Sequence, residues 1–351
     1  MWTEERLNEL LTTPSDKLVE DIKRLSGDIM ILGAGGKMGP TLAILAKNAA
    51  KKAGIDKKVI AVSRFSDPIA YKYLEDNDVE IISCDLLDVE ALNIISCDLL
   101  DVEALNALPE CENVIYMAGR KFGTDGSEYL TWAMNATLPA FVAYKFRKSR
   151  IVVFSSGNIY PIVPLTSGGC TEDDKVAPIG EYAQSCLARE RAFEYASHQY
   201  GTPVFIYRLN FAVDLRYGVL YDVAKRIMDG EPISITTPCF NFIWQGTANE
   251  IAIRGLLHAA APACKMNITG PEIVSIKYAA NKLAEYLGKK ATFVGEEQPN
   301  AYITNSGRAV SLFGYPEVSP ETLIKWQAEY ILDGGRTLDK PTHFEERKGS
   351  Y

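Results

Sequence analysis

The sequence has little of what metal sites, disulfide frameworks and nucleic-acid partners require. Three His, at 198, 258 and 343, are scattered through 351 residues. They share no spacing that gathers ligands, so no resident metal is expected. The seven Cys, at 84, 97, 111, 170, 186, 239 and 264, are odd in number and include no Cys-x-x-Cys pair. That pattern points to the reduced thiols of a cytoplasmic protein rather than to staples. No block of Lys or Arg stands out, and 37 basic against 45 acidic side chains leave a formal charge of −8. Nucleic acid and anionic membrane are poor partners for such a chain. No apolar run reaches the length of a bilayer span, and the opening "MWTEERLNELL" alternates charge with Leu instead of passing from a basic to an apolar stretch. A soluble, unprocessed chain is expected.

What is there is a rhythm. After two short amphipathic stretches, 2–11 and 17–25 with Ser15 as a cap, apolar runs of strand length alternate with helical periodicity. Strands are predicted at 29–32, 59–62, in one copy of "IISC", and at 114–117, 151–154 and 204–207. Continuous apolar runs of this kind belong to parallel strands covered on both faces. The prediction is an α/β fold with a Rossmann-type doubly wound parallel sheet. Past Asn210 the rhythm loosens, which predicts a smaller, interleaved C-terminal substrate lobe. The expected boundaries are 1–27 for an N-terminal helical extension and 28–211 for the dinucleotide-binding domain, with 241–262 returning to it. The lobe takes 212–240 and 263–338, and 339–351 forms a polar tail or surface strap.

The first strong strand runs into "GAGGKMG", with Gly33, Gly36 and Gly39 at three-residue intervals, and a long helix follows. Glycines let a backbone turn tightly and approach a diphosphate at a helix N-terminus, where free N–H groups and the helix dipole favour anions. Gly33, Gly36, Lys37, Met38 and Gly39 are therefore the candidate cradle of a dinucleotide. The second strand ends in Ser63 and Arg64 rather than in the acidic residue that binds a ribose 2′-hydroxyl. That favours NADP over NAD as the nicotinamide cofactor.

Taken together, "IYMAGRKFG", "AMNATLPAFVAY", "VFSSGNIYP" and "APIGEYAQSCLARERAFEY" resemble, in order, the motifs of the extended short-chain dehydrogenase/reductase family, the NAD(P)-dependent epimerase/dehydratase group. The resemblance implies hydride transfer between nicotinamide and a carbinol or carbonyl carbon. It makes Ser156 the group that hydrogen-bonds the reacting oxygen, Tyr182 the proton-exchanging group that also contacts the cofactor, and Asn135 the active-site Asn. It further implies cofactor contacts from Met117, Ala118 and Gly119, substrate contacts from Gly157, Asn158 and Asn210, and a homodimer paired through the helices of Asn135 and Tyr182.

One position departs from the family. Its pattern is Tyr-x-x-x-Lys, and this chain has Cys186 where the Lys belongs. That Lys holds the nicotinamide ribose and lowers the Tyr pKa. A free Tyr titrates near about 10, so at neutral pH only about one in a thousand is phenolate. Three accounts stand open. Lys121, or less well Arg120, in the loop after the fourth strand substitutes as cation, with Lys121 serving both catalysis and substrate. Alternatively, the enzyme works mainly as a reductase, in which a neutral Tyr already donates its proton. Finally, the chain is a non-catalytic NAD(P)-binding regulator or scaffold.

The second lobe shapes the substrate expectation. Where nucleotide-sugar epimerases carry an Arg that grips the substrate diphosphate, this chain has Phe240 and Asn241. Loss of that bidentate clamp favours a free sugar, sugar acid or polyol over a nucleotide sugar. Phe242 and Trp244 are expected in the core.

A further oddity is "IISCDLLDVEALN", present twice in immediate succession at 81–93 and 94–106. Two units are too few for a solenoid. The resemblance needs one copy as the third strand, ending in an Asp-Leu pair beside the adenine. Val79 and Glu80 extend the strand pattern of the first copy, which favours Asp85 and Leu86 there, with Asp98 as the alternative.

Overall fold

A computed structural model describes residues 1–83, 102–123, 125–338 and 340–350. Seven parallel strands form the central sheet: β1 (Ile29–Leu32), β2 (Val59–Ser63), β3 (Glu80–Ser83), β4 (Asn113–Tyr116), β5 (Arg150–Ser156), β6 (Val204–Leu209) and β7 (Cys264–Ile268). Their order is β7-β6-β5-β4-β1-β2-β3. The chain therefore winds outward in both directions from β1 and β4, the Rossmann-type arrangement that the sequence predicts. Successive residues of β1 point to opposite faces: Ile29 and Ile31 join one core, Met30 and Leu32 the other. Helices Gly39–Ala53 and Gln245–Gly255 cover the first face, and Leu138–Lys145 and Gly180–Tyr200 the second. No helix among the described residues is long and apolar enough to cross a membrane.

β7 corrects an expected boundary. The expected boundaries place Cys264–Ile268 in the lobe, yet it pairs in register with Phe205–Leu209 at the edge of the main sheet. The lobe has its own core of Val219, Val223, Ile276, Leu283 and Leu323, into which Phe242 and Trp244 also pack. Both N-terminal helices stitch the two cores together. Leu7 and Leu11 of Glu4–Thr12 are fully buried in the lobe core, worth about 2 kcal/mol each. Leu18 and Ile22 of Asp16–Arg24 enter the sheet core. Ser15 caps the latter helix, accepting from the Leu18 N–H at 3.1 Å.

The repeat divides between two elements. Ile81, Ile82 and Ser83, from the first copy, pair with Ala61, Val62 and Ser63 as part of β3. The end of the second copy enters helix Val102–Ala107. Asp85, Leu86 and Asp98 lie outside the described residues.

Candidate active site

The order of strands reverses between β1 and β4, and ligands of doubly wound sheets bind in the crevice at that point. The glycine turn opens there. Gly33 has φ +92°, and a Cβ on it would lie 2.5 Å from the Ala118 nitrogen. A Cβ on Gly39 would run into the Ala34 carbonyl. Gly36 is different: only the Gly33 oxygen, at 3.5 Å, would meet a Cβ there. Gly33 and Gly39 thus allow close packing within the turn, while Gly36 leaves backbone open to the crevice. These are the features a dinucleotide cradle needs.

A cavity of about 310 Å³ runs from this turn to the C-terminal end of β5. Gly33, Gly36, Lys37, Met38, Met117 and Gly119 line it, and so do Lys121, Ser156, Asn158, Tyr182 and Asn210. Gly39, Ala118, Gly157, Ser63 and Arg64 are not among the lining residues. Ser63 lies under Gly35, whose Cβ would come within 2.5 Å of its hydroxyl. Gly157 opens the short turn Gly157–Ile159 after β5, and a Cβ there would lie 3.0 Å from the Asn210 side chain. Asn210 donates to Asn241 at 2.8 Å, and Asn241 in turn donates to the Thr304 carbonyl. Phe240 and Asn241 are buried and do not line the cavity.

Ser156 and Tyr182 meet. Their side chains are hydrogen-bonded, and the Ser156 hydroxyl also accepts from the Asn158 N–H at 3.2 Å. Burial raises the Tyr182 pKa well above that of a free phenol, and the neighbouring Cys186 adds to the rise. Arg189 and the Ser156 hydrogen bond pull it back. The Cys186 thiol is fully buried and pushed up, again mainly by burial.

Lys121 stands with its ammonium 5.8 Å from the centre of the Tyr182 ring and donates to the Thr342 carbonyl at 3.3 Å. Burial lowers it to about 8. Lys37 reaches over the ring of Tyr217 from the glycine turn, and burial, with help from Lys121 and Lys340, lowers it to about 7. Arg120 also lines the cavity, with its guanidinium donating to the Gly123 carbonyl and the Ser127 hydroxyl.

Asn135 corrects an expectation. It sits buried in a π-helical turn, Ala133–Thr137, and does not line the cavity. Its oxygen accepts from the Arg120 N–H at 2.8 Å and from Arg189 at 2.7 Å. Its nitrogen donates to the Arg120 carbonyl at 2.8 Å and the Ser185 hydroxyl at 3.0 Å. An amide makes four such bonds, so this one is fully engaged in holding its neighbours.

Arg189 and the C-terminal segment are among the lining elements that the sequence does not single out. The first is Arg189, 6% exposed, which lines the cavity and donates to the Phe154 carbonyl at 2.8 Å. Its position on the Tyr182 face, seven residues on, is the signal that was available. The second is the C-terminal segment, which is no loose tail. Thr342 and Phe344 are buried, the Thr342 N–H donates to Asp222 at 2.8 Å, and Thr342 lines the cavity. Its polar composition conceals this.

The chain matches the family model described as "NAD dependent epimerase/dehydratase family" over residues 29–237. No curated protein matches it by sequence. Among solved structures, it is similar to UDP-glucuronic acid 4-epimerase from Bacillus cereus in complex with NAD, at 19% identity and a TM-score of 0.66, over 87% of this chain and 99% of that one. The enzyme WbmH of Bordetella bronchiseptica, in complex with NAD+, gives 18% identity and a TM-score of 0.69, over 88% and 99%. UDP-glucose 4-epimerase of Thermotoga maritima, with UDP-glucose, gives 16% and 0.66, over 88% and 99%.

Proposed function

This chain belongs to the NAD dependent epimerase/dehydratase family, and on that premise we propose that it oxidises, reduces or epimerises a carbinol carbon of a carbohydrate-like substrate. One observation carries the reading: the hydrogen-bonded pair Ser156 and Tyr182 faces the same cavity as the glycine turn. When bound, NAD(P) supplies the hydride acceptor or donor. The turn 33–39, Met117 and Gly119 would hold it.

The remaining chemistry belongs to side chains. Ser156 hydrogen-bonds the reacting oxygen and Tyr182 exchanges a proton with it. Burial and Cys186 keep Tyr182 protonated at neutral pH, which favours the direction in which it donates, reduction of a carbonyl. Lys121, close to the Tyr182 ring and at the cavity wall, faces the substrate.

Two substrate classes compete. The cavity lies at the small end of the roughly 300–1,000 Å³ typical of small-molecule sites, and Thr342 closes part of it. Together with Phe240 and Asn241, which offer no cation, this supports a free sugar, sugar acid or polyol. The similar solved structures include enzymes bound to UDP-sugars, which supports a nucleotide sugar. Ser63 and Arg64 support NADP, whereas the similar structures hold NAD.

The test is a turnover panel of glucose, glucuronate, UDP-glucose and UDP-glucuronate, with NAD(H) and NADP(H), on wild type, Tyr182→Phe and Lys121→Ala. Tyr182→Phe is expected to lose about 10²- to 10⁴-fold in turnover with NADH affinity retained. Cofactor binding with no Tyr182-dependent turnover on any of them would leave the non-catalytic regulator, the reading that Cys186 favours. Unchanged turnover in Lys121→Ala would remove Lys121 from the chemistry.

A further inference from the structure

We propose that Arg189 supplies both services that the missing Lys would have given: a positive charge beside Tyr182 and a donor to a hydroxyl of the nicotinamide-side ribose. The inference rests on the reading that a nicotinamide dinucleotide occupies the cavity.

Helix geometry comes first. Arg189 lies three residues beyond Cys186 and seven beyond Tyr182 in helix Gly180–Tyr200, so all three share one face. Long helical side chains lean toward the N-terminus and cover the preceding turn. A guanidinium at 189 is thereby carried back toward the position that an ammonium at 186 would have reached.

Charge comes second. Arg189 makes no ion pair among the described residues, although Glu190 is the next residue. Glu190 is bound instead by Arg208, through contacts of 3.0 and 2.8 Å, and by the Ser155 hydroxyl. The acceptors of Arg189 are neutral: the Phe154 carbonyl and the Asn135 amide. A buried guanidinium without a carboxylate keeps its full charge for what lies beside it, and here that includes Tyr182 and Cys186.

An open donor comes third. Arg189 lines the cavity. Its Nη1 and Nη2 each spend one N–H on an acceptor, the Phe154 carbonyl and the Asn135 oxygen, and each keeps a second N–H. A sugar hydroxyl in the cavity is a fitting acceptor for such a donor. The surroundings are shaped for this side chain. A Cβ on Gly119 would run into the Arg189 Nη2, and Asn135 ties the guanidinium to the Arg120 backbone. Asn135 thus acts as a positioning residue, holding the cation rather than the substrate.

The test exchanges the cation between the two positions and reads binding rather than turnover. NADH and ADP affinities are measured by calorimetry on wild type, Arg189→Gln, Arg189→Lys and the double variant Arg189→Gln/Cys186→Lys. ADP lacks the nicotinamide ribose, so a merely structural role would weaken both ligands together. Arg189→Gln is expected to weaken NADH about tenfold or more, with ADP unchanged. Arg189→Lys and the double variant should recover NADH to within about threefold of wild type. NADH affinity unchanged in Arg189→Gln, joint loss of NADH and ADP, or no recovery with Lys at 186 each overturns the proposal. Should Arg189→Gln not fold, the double variant decides: NADH binding supports the proposal, and a folded protein without it, or no folded protein, overturns it. If wild type binds no NADH, the dinucleotide reading itself fails, an outcome distinct from all of these.

Discussion

Two walls of the cavity are built by opposite rules. At the glycine turn the wall is backbone, and its tight positions are fixed by what a Cβ would strike: the Ala118 nitrogen at Gly33, the Ala34 carbonyl at Gly39. On helix Gly180–Tyr200 the wall is side-chain charge. A charge can be delivered to one point from several residues, because a long side chain has reach and a Coulomb interaction has no directional requirement. The first wall therefore tolerates no substitution where packing is tight, whereas the second has room for Cys186 in place of Lys if Arg189 stands by. Position binds the backbone; function binds the cation.

The comparison breaks most readily at Gly33. Gly33→Ala forces a Cβ to within 2.5 Å of rigid backbone at φ +92°, and is expected to cost about 2 to 4 kcal/mol of stability. Gly36→Ala meets nothing nearer than 3.5 Å. It should leave the melting temperature within about 2 °C of wild type while still weakening NADH. Thermal unfolding and NADH titration on both variants separate a glycine kept for packing from one kept for a ligand. Equal loss of stability in the two would end the distinction.

The same contrast explains what could be read in advance. The glycine turn, the end of β2 at Ser63 and the doubly wound sheet are legible because each depends on local chain geometry, which leaves a local pattern, whereas Ser156 follows from the family resemblance. Arg189 is not legible, because a charged residue on a helix is ordinarily solvated. Only the neighbours that bury it and engage Glu190 reveal an uncompensated charge. The expected boundaries place β7 in the lobe because Cys264–Ile268 includes Lys265 and Asn267 and follows irregular sequence. Thr342 was hidden in a polar stretch whose burial depends on Asp222, far away in the chain.

A smaller effect tests whether the turn is also electrostatic. Burial, with Lys121 and Lys340 beside it and Asp222 opposing, lowers Lys37 to about 7, whereas in the unfolded chain a Lys titrates near about 10.4. Between these values the unfolded chain holds a proton that the folded one lacks, so the contribution of Lys37 makes stability rise with pH across that window. Anion binding runs the other way: the ammonium attracts a diphosphate below pH 7 and loses its charge above it. NADH affinity is expected to fall about fivefold between pH 6 and pH 8 in wild type and much less in Lys37→Met, where Lys121, lowered to about 8, still loses charge toward the top of the window, read by calorimetry at fixed ionic strength. A wild-type slope that persists in Lys37→Met assigns the titration to another group.

The smallest effect is expected at the repeat, and its size is the point. The two copies are identical, so deleting 94–106 leaves the sequence 81–93 followed directly by Ala107. Ile81, Ile82 and Ser83 keep their places in β3, and "VEALN" of the first copy can supply what Val102–Asn106 now supplies to helix Val102–Ala107. Leu92 would take the buried position of Leu105, which packs in the core with Leu108 and Val114. The residues of β3 are kept, and the thirteen residues removed include the apolar Ile94, Ile95, Leu99 and Leu100. Shortening a connection by this much changes its closure entropy by only about 1 kcal/mol. NADH affinity is therefore expected to stay within about twofold of wild type, with an equal or higher melting temperature. A clear loss of both would mean that the second copy serves the cavity, and that the wall at the glycine turn, like helix Gly180–Tyr200, is built by more than its backbone.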